Sequence, residues 1–181
     1  MAKLCFGLVL FIVSTFCGRI DAAEVEINGR KIQSRITVNE YACDGYSILI
    51  KEDQFPNELE DEIARSLAQL PVFYGDSITV GVTAFVEKDG VEHPIPDVSK
   101  KYQKNGKLLN DGRVYFPSIG YCLNKNSFLL SVWSGGNCRK CELLIRYQLD
   151  LRGRIVRVGA PSHREWLRTM DGPIPQATKH R

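Results

Sequence analysis

Between Ile78 and Glu87 one face of the chain carries Ile78, Val80, Val82, Ala84 and Val86, and the other carries Thr79, Gly81, Thr83 and Phe85. A period of two is strand geometry, and a strand with one apolar face must bury that face against something else. Shorter runs of the same kind recur along the chain, separated by turn residues. Asn28-Gly29 stands between Val25-Glu26-Ile27 and Arg30-Lys31-Ile32. Asn-Gly accepts positive φ at both turn positions, so this is a hairpin signal. Its register sets Val25 against Ile32 and Glu26 against Lys31, an opposite-charge pair. The strand continues through Arg35–Val38. Tyr46–Lys51 is another, bounded by Asp44-Gly45 and Glu52-Asp53. Val114–Phe116, Gly120–Leu123 and Ser127–Trp133 are apolar and aromatic, with a turn at Asn124-Lys125-Asn126. Glu142–Leu151 and Arg154–Val158 read as a hairpin about Arg152-Gly153.

Two segments read as helix. In 57–70, Leu59, Ile63, Leu67 and Leu70 form one apolar stripe. Asn57 can cap it, Glu60 takes the capping-box position, and Glu58, Asp61 and Glu62 favour the positive end of the helix dipole. Pro71 ends it. Ser162-His163-Arg164-Glu165 is a second capping box, opening a short helix that contains Trp166 and Leu167 and stops at Asp171-Gly172-Pro173. Strands come in clusters joined by turns rather than alternating with helices, which argues against a doubly wound parallel sheet. The expected class is α+β: a mostly antiparallel sheet, one long amphipathic helix (57–70) packed on it, and a short C-terminal helix.

The N-terminus bears on the compartment. Met1-Ala2-Lys3 precedes an apolar run from Leu4 to Phe16, followed by Cys17-Gly18-Arg19-Ile20-Asp21-Ala22-Ala23. One positive charge, a short apolar core and small residues for a peptidase make up a secretory leader. A transmembrane helix needs about 20 apolar residues, and this run is shorter. Phe16 before Cys17 does not suit lipid attachment. The expected organisation is a leader over 1–23, one globular domain over 24–172, and a flexible basic tail over 173–181. The expected location is secreted or periplasmic, with no membrane association once the leader is cleaved.

Export gives the cysteines their meaning. Cys5 and Cys17 leave with the leader; Cys43, Cys122, Cys138 and Cys141 remain. Four cysteines in an oxidising compartment read as two disulfides with three possible pairings. The favoured set is Cys138–Cys141 as a local bridge and Cys43–Cys122 as a long one. Cys138-Arg139-Lys140-Cys141 also has redox potential as a motif, since adjacent cations lower a thiol pKa. It follows a Gly135-Gly136-Asn137 turn and leads into a strand, so no helix N-terminus assists a thiolate. A structural bridge is therefore preferred over a thiol–disulfide oxidoreductase, which stands as the alternative. Zinc held by four cysteines usually comes as two close pairs. Here there is one close pair and two distant residues, so no metal is expected.

His93–Arg113 is polar and contains Pro94 and Pro96, with Lys100, Lys101, Lys104 and Lys107 around Tyr102. It reads as a long surface loop, and long ordered loops often carry function. These five residues are the candidate binding loop. Charge is uneven along the chain. Glu24–Cys138 holds 12 Lys and Arg against 16 Asp and Glu, whereas Arg139–Arg181 holds 10 against 4. The preferred reading is that the two parts neutralise each other across the folded surface; the alternative is that the C-terminal part presents a basic face to an acidic partner. The net charge of +3 is small and the location is extracytoplasmic, so nucleic acid is not an expected partner. Of the three histidines, His163 alone sits where a helix could orient it. No phosphate loop, Gly-x-Ser-x-Gly elbow or His-Glu-x-x-His is present. The expected function is a small, disulfide-stabilised, non-enzymatic protein that binds a protein partner, with no cofactor and no catalytic residues.

Overall fold

Strands β1 (Glu24–Ile27) and β2 (Arg30–Gln33) form the hairpin that Asn28-Gly29 predicts. Val25 stands opposite Ile32 and Glu26 opposite Lys31. The Lys31 ammonium nevertheless reaches diagonally to Glu24, at 2.6 Å. Gly29 has φ 74°, the left-handed conformation such a turn needs. The computed structural model describes residues 22, 24–27, 29–55, 78–96, 116–133 and 142–180.

Two antiparallel meanders follow. The first runs β3 (Arg35–Cys43), β4 (Tyr46–Phe55), β5 (Ile78–Lys88) and β6 (Val91–Pro94). The second runs β7 (Phe116–Asn124), β8 (Ser127–Trp133), β9 (Leu143–Leu149) and β10 (Ile155–Gly159). In each, every strand pairs with its neighbours in sequence. The helix α1 (His163–Asp171) comes next. The last strand, β11 (Lys179–His180), crosses back to pair with β3 and completes a five-stranded sheet, β11-β3-β4-β5-β6.

The two sheets pack face to face. Ile48 and Ile50 of β4 and Ala84 and Val86 of β5 share one buried cluster with Phe128 and Leu130 of β8 and Ile145 and Tyr147 of β9. These are the alternate residues that the period of two marks out. Ring stacking adds to the core: Phe128 and Tyr147 lie 5.1 Å apart and nearly parallel, and Tyr46 sits 6.1 Å from Phe128. Helix α1 covers the outer face of the four-stranded sheet, where Trp166 and Met170 meet Tyr121, Leu129 and Leu144.

Three expectations need correction. The α+β class, with a long helix packed on a sheet, gives way to a β-sandwich: each sheet's inner apolar face is buried by the other sheet, and the one helix among the described residues is the short α1. The segment 57–70 itself lies outside the described residues, as does nearly all of the expected leader over 1–23. Within the stretch expected as a flexible basic tail over 173–181, residues 177–180 are docked. Thr178 N donates to Glu40 O at 2.7 Å, its hydroxyl donates to the same oxygen at 2.9 Å, and Ala177 packs against the core. Finally, His93 and Pro94 are not loop. They belong to β6, which Ile95 N extends by donating to Ala84 O at 2.8 Å. Proline is tolerated there because β6 is an edge strand.

Candidate functional site

The sandwich has two long sides, built differently. On one side β7 runs across the first sheet and touches β3, β4 and β5. Its Gly120 meets Ile48 so closely that a Cβ would stand 2.9 Å from Ile48 Cδ1. The Tyr41 hydroxyl donates to Ser118 O at 3.2 Å. The Tyr46 hydroxyl is shared between Ser127 O at 2.9 Å and Asn124 O at 3.1 Å. Burial, helped by nearby Glu52 and Tyr121, pushes the Tyr41 phenol up to about 12, and burial raises Tyr46 too. A disulfide joins Cys43 at the end of β3 to Cys122 on β7, with Cα atoms 5.6 Å apart. This is the long bridge of the expected pairing. With two of the four cysteines joined, a four-cysteine zinc site has lost half its thiolates.

On the other side lie β6 and β10, the edge strands of their sheets. Two hairpins meet there. Gly153, at φ 82° in the β9–β10 turn, sits so near the β5–β6 hairpin that a Cβ would be 2.8 Å from Lys88 Cβ and 3.4 Å from the His93 ring. Asp150 organises the turn by accepting from the backbone of Arg152 and Arg154 and from Arg154 Nε at 2.8 Å. The hydrogen bond from the Arg154 backbone does most to hold the Asp150 carboxyl below its usual range.

Between the edges runs an open groove lined by His93, Pro94, Pro96, Arg154, Val156 and Arg157, with Ile155 and Val158. Inward of it is a second, smaller space between the sheets, about 170 Å³, lined mainly by Val82, Ala84, Ile95, Leu130, Val132 and Ile145. Pro94 and Pro96 border both. The Tyr147 hydroxyl donates to Pro96 O at 3.3 Å and so fixes the shared rim. Among the described residues, no carboxylate lines either space. Arg157 has no ionic partner among the described residues, whereas Arg154 is held by Asp150 at 2.8 Å. Of the five exposed large apolar side chains among the described residues, three lie on these two hairpins: Val91, Leu151 and Val156, the last 63% exposed.

The groove is suited to side-chain recognition rather than to adding a strand. Pro94 has no N–H to offer at the β6 edge, and the β10 pairing is irregular about Val156. Both devices blunt an edge.

The residues singled out from the sequence fall elsewhere. Cys138 and Cys141 lie outside the described residues, and so do Lys100, Lys101, Tyr102, Lys104 and Lys107. His163 is exposed on the first turn of α1 and makes no hydrogen bond among the described residues, so nothing there orients it as a base. Glu165 instead closes the capping box. It accepts from Ser162 N at 2.8 Å, and the Arg146 guanidinium lies 3.3 Å away as an ion pair without hydrogen-bond alignment. The hydrogen bond from the Ser162 backbone, its hydroxyl and then Arg146 hold the Glu165 carboxyl below its usual range. Sequence reasoning missed the groove because its halves come from residues 93–96 and 154–158, and neither stretch carries a motif. The available signal was coarse, namely the basic excess after Arg139.

Among the described residues no helix is long and apolar enough to cross a membrane, and no three His, Cys, Asp or Glu side chains are grouped to hold a metal. No family model, curated protein or solved structure matches this chain.

Proposed function

We propose that this chain is an exported, disulfide-stabilised, non-enzymatic protein of the periplasm or extracellular space that binds a protein partner through the β6–β10 side of its sandwich. The observation that carries the reading is the exposure of Val91, Leu151 and Val156 on the two hairpins whose edge strands border a groove lined, among the described residues, by arginine and no carboxylate. Exposed apolar side chains grouped beside cations are what a protein interface requires, since arginine anchors well and scattered exposure elsewhere needs no explanation. Export is supported by the leader pattern of residues 1–23 and by the Cys43–Cys122 bridge, which persists in oxidising compartments.

The test uses the full chain expressed in its natural host. Intact-mass analysis of the recovered protein should show the leader removed. The wild-type protein and the double variant Val156→Ser/Arg157→Glu are then immobilised and exposed to extracytoplasmic extract. A protein retained by the wild type and lost from the double variant is expected. Equal retention on both, or an uncleaved leader, overturns the reading.

A further inference from the structure

We infer that the β6–β10 side recognises an acidic protein segment carrying one bulky apolar anchor residue. The anchor enters the space between the sheets, and the flanking carboxylates meet Arg157 and Arg154 in the groove. This rests on the protein-binding reading above and names the chemistry of its partner.

Volume comes first. About 170 Å³ of mainly apolar space is close to that of engineered cavities of about 150 Å³ that hold one benzene ring. It is too small for a drug-sized ligand, which takes roughly 300–1,000 Å³. One phenylalanine or leucine side chain fits that scale. The walls are matched to it: Val82 and Ala84 from β5, Leu130 and Val132 from β8, and Ile145 from β9. Charge comes second. Among the described residues the groove outside the space is lined by His93, Arg154 and Arg157 and by no carboxylate; Asp150 already pairs with Arg154, so Arg157 is the cation that most favours an acidic segment over a basic one. Connection comes third. Pro94 and Pro96 border both spaces, so one short segment can set its side chain in the inner space while its neighbours lie in the groove. The rim is also rigid, because proline fixes φ and the Tyr147 hydroxyl holds Pro96 O. A pre-formed rim lowers the ordering cost of binding.

The test uses three capped heptapeptides: Glu-Asp-Glu-Phe-Glu-Asp-Glu, the same peptide with alanine in place of phenylalanine, and the phenylalanine peptide with lysine at every acidic position. Each is titrated into the full oxidised protein while the methyl resonances of Leu130, Val132 and Ile145 are followed. The phenylalanine peptide should give saturable shifts at these methyls. The alanine peptide should bind about tenfold more weakly or worse, the scale set by burying a large apolar side chain. The lysine peptide should not bind measurably. Ala84→Leu fills the inner space and should lower affinity for the phenylalanine peptide about tenfold without lowering the melting temperature; Val82→Leu serves the same purpose should Ala84→Leu fail to fold. Equal affinity for the phenylalanine and alanine peptides, or shifts confined to residues away from the cleft, sinks the inference. A natural partner that still binds Ala84→Leu at full strength but not Val156→Ser/Arg157→Glu leaves the protein-binding reading standing and removes the anchor. Indifference to all of these substitutions removes both.

Discussion

The β3–β7 side and the β6–β10 side close the same two sheets by opposite means. At β3–β7 the sheets touch through glycine, are linked by hydrogen bonds from two tyrosines and are joined covalently. At β6–β10 they are held at the hairpin tips, by the fit of Gly153 against Lys88 and His93, and part along the strands to leave a cleft and a groove. Under the proposed function, stability and recognition fall on different sides. A side that must accept a partner cannot spend its apolar surface on internal packing. Substitutions on the two sides should accordingly differ in kind.

The largest effect is expected at the bridge. Converting both Cys43 and Cys122 to alanine should cost about 4 kcal/mol in the chain-entropy view, because the closed loop is long, and urea unfolding would measure it. A loss below about 1 kcal/mol would show that packing alone holds the closed side. Gly120→Ala comes next. Its methyl would press on Ile48 Cδ1, Cγ2 and Cβ together, so Ile48 cannot simply rotate away. A cost of about 1–3 kcal/mol is expected, with the same assay as the check.

Tyr46→Phe should cost about 1–2 kcal/mol, since it strips a donor from two carbonyls where β7 turns into β8. Tyr41 and Tyr46 also give the closed side an alkaline limit. Unfolded tyrosines ionise near ~10, whereas the folded phenols stay protonated to higher pH. Above about pH 10 the folded state holds more protons than the unfolded chain, so stability must fall as pH rises. Melting temperatures above pH 10 should drop less steeply in Tyr41→Phe than in the wild type; parallel curves would mean that Tyr41 does not set the limit.

Smaller effects follow. The Glu165 carboxyl is held below its usual range, so it contributes stability above its unfolded pKa and loses it as pH falls through the folded value. Glu165→Gln keeps the cap but removes the charge facing Arg146. Its melting temperature should therefore decline less between neutral pH and strong acid. Least of all, Val156→Ser/Arg157→Glu on the open side should change stability by no more than about 0.5 kcal/mol, because both side chains are exposed. A loss of several times that would mean the open side is also structural, and the contrast between the two sides would collapse.

Local features were legible from the chain itself. Asn28-Gly29 set the β1–β2 register, the alternation of β5 named its core face, and Ser162 with Glu165 marked the start of α1, because each depends on residues a few positions apart. The class was misjudged because strand periodicity shows that a face is buried without showing what buries it. Ala84 and Val86 could have met a helix; they meet Phe128 and Leu130. The two-residue pairing of Lys179 and His180 with Glu40 and Asn39 has no local pattern, so the C-terminal segment read as a tail. The groove escaped for the same reason, since β6 and β10 come together only when both meanders are complete.

The return of residues 179 and 180 to β3 joins stretches far apart in the chain. Until that pairing forms, the outer rim of β3 is a ready template for a strand from another molecule. Thr178→Pro would remove the N–H that docks this segment on Glu40 and so prolong the exposure.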